Sequence, residues 1–195
     1  MTKFEEDDVK LWIRFREGDN DAFTVIYNTY FKPLFHYGYH IAKDENLVKD
    51  CIHNLFVELW NSRSNLSDTT SIKFYLLRVM RRKVYRVLQK EGNYSDFLPD
   101  METIDIVFSP ELELISKQTE ERQNNALQNA INQLSNRQKE AITLLYIEGL
   151  SYAEISEIMM LKVRSVYNLI HTALESLRKY LKQPGIWLFL SFLTH

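Results

Sequence analysis

The segment of residues 134–181 constrains the fold most, because two helix-start signals lie close together in it. Ser135 with Gln138, and Ser151 with Glu154, fit the capping box S-x-x-E/Q. In a capping box the two side chains satisfy free backbone amides at the beginning of a helix. The two boxes therefore predict separate starts for two short helices within one compact helical unit.

A helix-turn-helix pattern follows the second box. We expect a short helix over 152–159, a turn over 160–162 and a longer helix over 163–181. The longer helix carries one apolar stripe at three- and four-residue steps: Val163, Val166, Ile170, Ala173, Leu177 and Leu181. Its opposite face can form hydrogen bonds with base edges and phosphates of the DNA major groove through Arg164, Ser165, Tyr167, Asn168 and His171. A helical hairpin whose polar face is merely solvated is the alternative interpretation.

Amphipathic helical patterns run through most of the remaining chain and predict an all-α fold. The 195 residues include only five glycines and four prolines, too few for the many turns of an all-β protein. Helices are predicted over 7–17, 21–30, 32–41, 45–60 and 71–90. Residues 92–109 have no sustained period and mix Gly, Pro and acidic residues, as linkers do.

These patterns divide the chain into two small helical domains joined by a flexible linker. The predicted parts are a helical domain over 1–91, an acidic linker over 92–110, a helix-turn-helix domain over 111–183 and a short apolar tail over 184–195. The tail contains an eight-residue apolar run, whereas a membrane-spanning helix needs about 20 residues. The acidic N-terminus lacks the profile of a secretory signal, so a cytoplasmic protein is expected.

Charge is distributed unevenly along the chain, although the net charge is only −2. Residues 62–90 hold eight basic residues and a single acidic one, a net charge of +7. Residues 91–125 hold two basic and nine acidic residues, a net charge of −7. A basic helical block beside an acidic connector indicates a surface that binds nucleic acid.

The basic block coincides with the predicted helix 71–90, which interleaves cations with aromatic rings. Its outer residues are Phe74, Tyr75, Arg78, Arg81, Arg82 and Tyr85. Cations follow a phosphate backbone and aromatic rings stack on unpaired bases, so this helix is suited to single-stranded or melting DNA. The alternative is a solvated basic face whose aromatic residues belong to the core.

The sequence contains no set of residues that indicates a catalytic site or a metal-binding site. The single cysteine, Cys51, lies in an apolar helical run, where a buried structural thiol is expected. It excludes an internal disulfide, and no Cys/His cluster has zinc spacing, so no metal ion or other cofactor is expected. Because a phosphate loop, a nucleophile elbow and paired metal ligands are also lacking, we expect neither an enzyme nor a small-molecule substrate.

Three stretches of the chain, in this order, resemble the extracytoplasmic-function (ECF) group of bacterial sigma factors. Residues 48–60, VKDCIHNLFVELW, resemble the helix with which the family binds core RNA polymerase. Residues 71–90 resemble its promoter-melting helix, and residues 134–181 resemble the domain that reads the minus-thirty-five element. The resemblance covers about residues 11–181, nearly the whole chain.

The resemblance implies partners and a role for each set of residues. Core RNA polymerase is expected to bind Asp50, His53, Asn54 and Val57. The residues named on the helix 71–90 are expected to engage the opened minus-ten strand, and the polar face after residue 163 the minus-thirty-five element. The implied partners are core RNA polymerase, promoter DNA and a membrane-anchored anti-sigma factor.

The predicted function is that of an alternative sigma factor, which directs promoter recognition and melting at transcription initiation. An autonomous, dimeric helix-turn-helix regulator is the alternative, and an adaptor without a DNA role is a second one. The first alternative needs a dimer interface and tight operator binding by the protein alone.

The chain departs from the family pattern at several positions. Met160 occupies a turn position at which glycine is common, so a different or mildly strained turn is expected. Thr172 and Leu174 replace arginine, and Lys162 replaces a capping serine. Fewer cations mean fewer phosphate contacts, so the isolated C-terminal domain is expected to bind DNA weakly and with a shallow salt dependence.

Overall fold

The structure, a computed structural model, describes residues 3–90 and 130–180. Within these ranges every regular element is helical, which confirms the all-α prediction. The chain falls into two compact units, Met1–Leu98 and Pro99–His195.

Two of the predicted parts lie outside the described residues. They are the linker over 92–110 and the apolar tail over 184–195. The boundaries of the four predicted parts of the chain therefore stay predictions.

The N-terminal unit is a bundle of four helices: α1 (Lys3–Arg16), α2 (Asn20–Ala42), α3 (Glu45–Asn61) and α4 (Ile72–Lys90). The long helix α2 packs against the other three, and α3 and α4 also pack against each other. The side chains of Asp19 and Asp44 cap α2 and α3, each accepting hydrogen bonds from two backbone amides of the first turn. These caps satisfy amides that would otherwise lack a partner.

The prediction of two helices over 21–30 and 32–41 was wrong, because α2 is continuous through Pro33. A proline inside a helix removes a backbone hydrogen bond and costs about 3 kcal/mol. Ile26 before the proline and Leu34 after it are both fully buried. Burying two such side chains contributes about 1.5–3 kcal/mol each, which offsets the cost of the proline.

Helices α2, α3 and α4 meet closely at Gly38. A Cβ atom at this position would lie 2.5 Å from Met80 Cε of α4 and 3.0 Å from Val48 Cγ1 of α3. Protein interiors are close-packed, so a larger residue here would require the ends of the Met80 and Val48 side chains to shift. Cys51 is buried in the same unit, as predicted.

The C-terminal unit contains α5 (Asn136–Ile142), α6 (Tyr152–Met159) and α7 (Val163–Tyr180), and α7 packs against the other two. Both predicted capping boxes are present, with the serine and its Gln or Glu partner bonded to each other's backbone amides. Helices α6 and α7, joined by a three-residue turn, confirm the predicted helix-turn-helix.

A π turn, Thr143–Ile147, follows α5 directly. The amide of Glu148 donates to the carbonyl of Thr143 at 3.0 Å, and the amide of Leu150 to that of Leu144 at 3.0 Å. A π turn holds one residue more than an α turn.

The apolar stripe of α7 differs from the prediction at its first residue. Val163 is 41% exposed, because it begins the helix at the turn and is not covered by neighbouring helices. The stripe residues that follow are buried: Val166, Ile170, Ala173 and Leu177. Leu181 lies outside the described residues.

Candidate nucleic-acid and protein interfaces

The outer side of α3, which we call the α3 face, is exposed. Its residues are Asp50, His53, Asn54 and Val57; the last three lie three, four and seven residues after Asp50, so all four share one side of the helix. On one flank, Glu58 Oε1 lies 2.6 Å from Lys83 Nζ of α4. On the other flank, the ring centroids of Phe56 and Tyr27 of α2 lie 4.7 Å apart. The α3 face is therefore presented by a helix held on both sides, as a preformed protein contact requires.

The outer side of α4, which we call the α4 face, brings together the six residues predicted to bind single-stranded DNA. Arg78 and Arg82 are exposed, while Phe74, Tyr75, Arg81 and Tyr85 are half-buried. Arg86 and Lys90 are exposed as well and extend the row beyond the predicted set. They lie four and eight residues after Arg82, so helical spacing alone places them on this side.

Two aromatic residues of the α4 face, Tyr75 and Tyr85, have partners within the protein. The ring of Tyr75 lies 5.1 Å from the ring of Trp12, between centroids, and burial raises the pKa of the Tyr75 hydroxyl. The Arg81 guanidinium lies over the ring of Tyr85, 4.4 Å from its centroid. These contacts fix the orientation of both rings and leave only part of each surface for a base.

The polar side of α7, which we call the α7 face, is exposed at all five predicted positions: Arg164, Ser165, Tyr167, Asn168 and His171. Tyr167 stacks on Tyr152, the first residue of α6. His171 Nδ1 lies 3.5 Å from Glu175 Oε2, one helical turn further along. The α7 face thus offers cationic, hydroxyl and amide groups along one side of a helix, a pattern able to read base edges.

The turn of the helix-turn-helix contains the strained position that was expected. Met160 has φ 54° and ψ 46°, in the left-handed region that favours glycine. Its side chain is 66% exposed, so packing contributes little to holding it there. The turn thus has the left-handed backbone geometry that a glycine adopts without strain, and Met160 adopts it at a cost in strain.

Two of the departures from the family pattern have structural contacts. Gln138 Nε2 of α5 donates to Thr172 Oγ1 at 3.1 Å, which ties α7 to the capping box of α5. Leu174 packs, partly buried, against a small apolar cluster. The cluster consists of Ala130, Ile131, Leu134, Ala173 and Leu177. Both positions thus join α7 to the rest of its unit.

Within residues 3–90 and 130–180, no group of three or more His, Cys, Asp or Glu side chains is placed to hold a metal ion. No helix of that part of the chain combines the length and the apolar composition needed to cross a membrane.

Comparison with known proteins gives two family matches. The model for sigma-70 region 2 matches residues 26–94, which include α3 and α4. The model for sigma-70 region 4 matches residues 124–177, which cover α6, the turn and α7 up to Leu177.

The chain is also similar to several individual proteins. It is 22% identical over 169 residues to the ECF RNA polymerase sigma factor SigX of Bacillus subtilis, covering 83% of this chain and 84% of that protein. It is 26% identical over 172 residues to the ECF RNA polymerase sigma-E factor of Haemophilus influenzae, covering 83% and 88%. Its fold resembles that of the sigma factor RpoE in a co-crystal structure with the anti-sigma factor NepR from Bartonella quintana. The TM-score is 0.61 at 19% identity, covering 83% of this chain and 98% of that chain.

Proposed function

The chain belongs to the ECF sigma factors of the sigma-70 family, and we propose that it binds core RNA polymerase and directs promoter recognition and melting through the three faces described above. The observation that supports this proposal is the position of the three faces within the two family matches. The α3 and α4 faces lie within the region 2 match, and the α7 face lies within the region 4 match. The protein acts by binding, without catalysis of its own and without a cofactor.

The α3 face is proposed as the contact to core polymerase. Asp50 supplies the negative charge of this surface, His53 and Asn54 supply hydrogen-bonding groups, and Val57 supplies an exposed apolar contact. A small apolar spot surrounded by polar groups is the usual composition of a specific protein interface. Because His53 and Asn54 are weaker electrostatic partners than carboxylates, Asp50 carries the main charge contact.

The α4 face is proposed to hold the opened non-template strand. Arg78, Arg82 and Arg86 form an exposed cationic row that follows the phosphates. The rings of Phe74, Tyr75 and Tyr85 border this row and offer stacking surfaces to unpaired bases. Each stacked base contributes about 1–3 kcal/mol, which offsets an unstacking cost of a few kcal/mol when the duplex opens.

The α7 face is proposed to lie in the major groove of the minus-thirty-five element. Arg164 is suited to a guanine edge and Asn168 to an adenine edge, because each can form two parallel hydrogen bonds with that base. The α7 face carries one arginine and no lysine, so the affinity of the isolated unit for DNA is weak. Linking this contact to the polymerase contact raises the effective concentration at the promoter, and the three modest contacts then act together.

An anti-sigma protein is proposed as a further partner. The related RpoE is bound by the anti-sigma factor NepR in its solved structure. A membrane anchor on the partner of this chain is part of the same proposal and derives from the family resemblance. We place the protein in the cytoplasm because its proposed partners, core polymerase and promoter DNA, are there.

The experiment compares the wild type with Asp50→Arg in co-elution with purified core polymerase and in run-off transcription. The template is a promoter selected from a random DNA library by the wild-type holoenzyme. We expect wild-type binding and promoter-dependent transcription, and a loss of about tenfold or more in core affinity for Asp50→Arg. Glu17→Arg, the same charge change at an exposed position that follows α1, is the matched control and should bind as the wild type does.

The opposite result would support the autonomous regulator. A wild-type chain that does not bind core polymerase, but binds DNA alone with nanomolar affinity as a dimer, would overturn the sigma function. The family matches to regions 2 and 4 do not favour that outcome.

A further inference from the structure

One side of α1 is bonded to the segment that leads into α4. Asp8, Trp12 and Arg16 follow one another at four-residue steps and therefore share a face of α1. Each of the three bonds to a different position between Ser67 and Ile72. The partners are 64, 55 and 52 residues apart in sequence, so these are tertiary contacts and not local turns.

Asp8 caps α4 from outside that helix. The amide of Ile72, the first residue of α4, donates to Asp8 Oδ2 at 3.0 Å. The hydroxyl of Tyr30 of α2 donates to Asp8 Oδ1 at 3.2 Å, so the carboxylate is held between two helices. A negative charge at a helix N-terminus also interacts favourably with the helix dipole.

Trp12 joins the middle of α1 to both the segment and the first turn of α4. Its indole N–H donates to the carbonyl of Ser67 at 3.0 Å. Its ring, which is fully buried, contacts the ring of Tyr75 on the α4 face. The position of Tyr75 is therefore set by α1 as well as by its own helix.

Arg16 forms an ion pair with Asp68, whose side chain is 88% exposed. Asp68 is also the one acidic residue of the sequence 62–90. A bare carboxylate at the entrance to a cationic DNA-binding helix would repel the phosphate backbone. The guanidinium of Arg16 both neutralises this charge and holds the segment against α1.

We propose that α1 is a positioning element for strand capture, in which Asp8 and Arg16 hold the segment 66–71 and the first turn of α4 in the arrangement that receives the opened promoter strand. This inference rests on the proposed function. Asp8 and Arg16 act through Asp68, Ile72 and Tyr75, and they need not touch DNA themselves.

The Arg16–Asp68 pair allows a test at the surface, where substitution leaves the core intact. Holoenzyme is assembled from core polymerase and the full chain as wild type, Arg16→Ala, Asp68→Ala or the double variant. Two affinities are measured: that for core polymerase, and that of the holoenzyme for the single-stranded non-template strand of the selected promoter. Arg14→Ala is the matched control, because Arg14 lies on the same helix and pairs instead with Asp19 at 2.6 Å.

We expect Arg16→Ala and Asp68→Ala each to weaken strand binding by about two- to fivefold, the range of a well-formed exposed ion pair, with core affinity unchanged. The double variant should be no weaker than either single variant, since the pair acts as a unit. Exchanging the partners, Arg16→Asp with Asp68→Arg, should restore strand binding. Asp8→Ala should act in the same direction and leave the core affinity as it is.

Three results would overturn the proposal, and each differs from a failure of the proposed function. Stronger strand binding by Asp68→Ala would mean that this carboxylate only repels DNA. An effect of Arg16→Ala that persists in the Asp68→Ala background would mean that Arg16 contacts DNA directly. Equal losses of core affinity and strand affinity would give α1 a purely structural role. If the wild-type chain does not bind core polymerase at all, the proposed function fails and the test of α1 is not reached.

Discussion

The ring of Tyr167 lies parallel to the ring of Tyr152, with the centroids 3.9 Å apart and the planes at 9°. Tyr152 begins α6 and Tyr167 lies in the middle of the α7 face, so the pair joins the two helices of the helix-turn-helix. The stack fixes the orientation of Tyr167 before DNA arrives, although the side chain is exposed. A side chain ordered in advance loses less conformational freedom on binding.

Replacing Tyr152 by Leu is therefore expected to weaken promoter binding without changing the residues that face DNA. An aromatic pair contributes about 0.5–1.5 kcal/mol beyond its buried area, so we expect a loss of about two- to tenfold. The measurement is holoenzyme affinity for a duplex carrying the minus-thirty-five element. Tyr152→Phe, which keeps the stacked ring, should bind as the wild type does; an equal loss in both variants would instead point to the Tyr152 hydroxyl.

The exposed arginine row of α4 predicts a change in salt dependence. Arg86→Ala removes one proposed phosphate contact, and each contact to a single strand contributes about 0.7 to the slope of log affinity against log salt. The measurement is strand binding by the holoenzyme at several salt concentrations. The slope should fall by about that amount, while Arg14→Ala leaves it unchanged. An unchanged slope in Arg86→Ala would place Arg86 outside the path of the strand.

The left-handed backbone at Met160 predicts that glycine stabilises the C-terminal unit. A non-glycine residue in this conformation costs about 1–2 kcal/mol, and the exposed side chain returns little of it. Thermal unfolding of Met160→Gly should therefore occur at a higher temperature than that of the wild type. Met160→Ala keeps the strained backbone and should bring no gain. A gain of equal size in both variants would assign the effect to the exposed thioether.

Tyr30 predicts a specific dependence of stability on alkaline pH. Burial, and next to it the negative charge of Asp8, raise the pKa of the Tyr30 hydroxyl above its ordinary value of 10.0. Above pH 10.0 the unfolded chain releases this proton while the folded chain retains it, so wild-type stability falls as pH rises further. Tyr30→Phe lacks the titrating group, and its stability should fall less steeply there.

Tyr30→Phe also distinguishes two contributions of the hydroxyl to stability: its hydrogen bond to Asp8 and its titration at high pH. At neutral pH, Tyr30→Phe should be less stable by about 1 kcal/mol, since Asp8 loses a donor. Urea unfolding of both proteins at neutral pH and above pH 10.0 gives the two differences. A stability difference that stays constant with pH would show that folding does not raise the pKa of this hydroxyl.

Features set by local sequence were predictable, and those set by distant packing were not. The capping boxes at Ser135 and Ser151 are local, and both helices begin where the boxes predicted. The predicted break between the helices 21–30 and 32–41 is absent, because burial against other helices keeps α2 continuous through Pro33. Val163 was misassigned to the core because its exposure depends on where the neighbouring helix ends, which periodicity does not reveal.

For the candidate faces, too, the sequence predicted what depends on local spacing and missed what depends on distant contacts. Helical spacing alone was enough to gather the residues of the α3, α4 and α7 faces, and their roles in binding stay predictions. The stack of Tyr152 on Tyr167 and the bonds from α1 to the start of α4 involve partners that no spacing rule relates. Asp8 and Arg16 were accordingly missed, since an acidic and a basic residue on an N-terminal helix carry no signal of their distant partners.

The π turn at Thr143–Ile147 has a consequence for how this unit tolerates insertion and deletion. It stores one residue beyond what a regular helix of the same length would hold. The wider turn takes up this residue, so the chain on either side keeps the phase of a regular helix. Deleting one residue within Thr143–Ile147 would restore regular α-helical turns there and keep α5 in phase with the helix-turn-helix. Chain length can thus change by one residue at this point without reorienting α6 and α7.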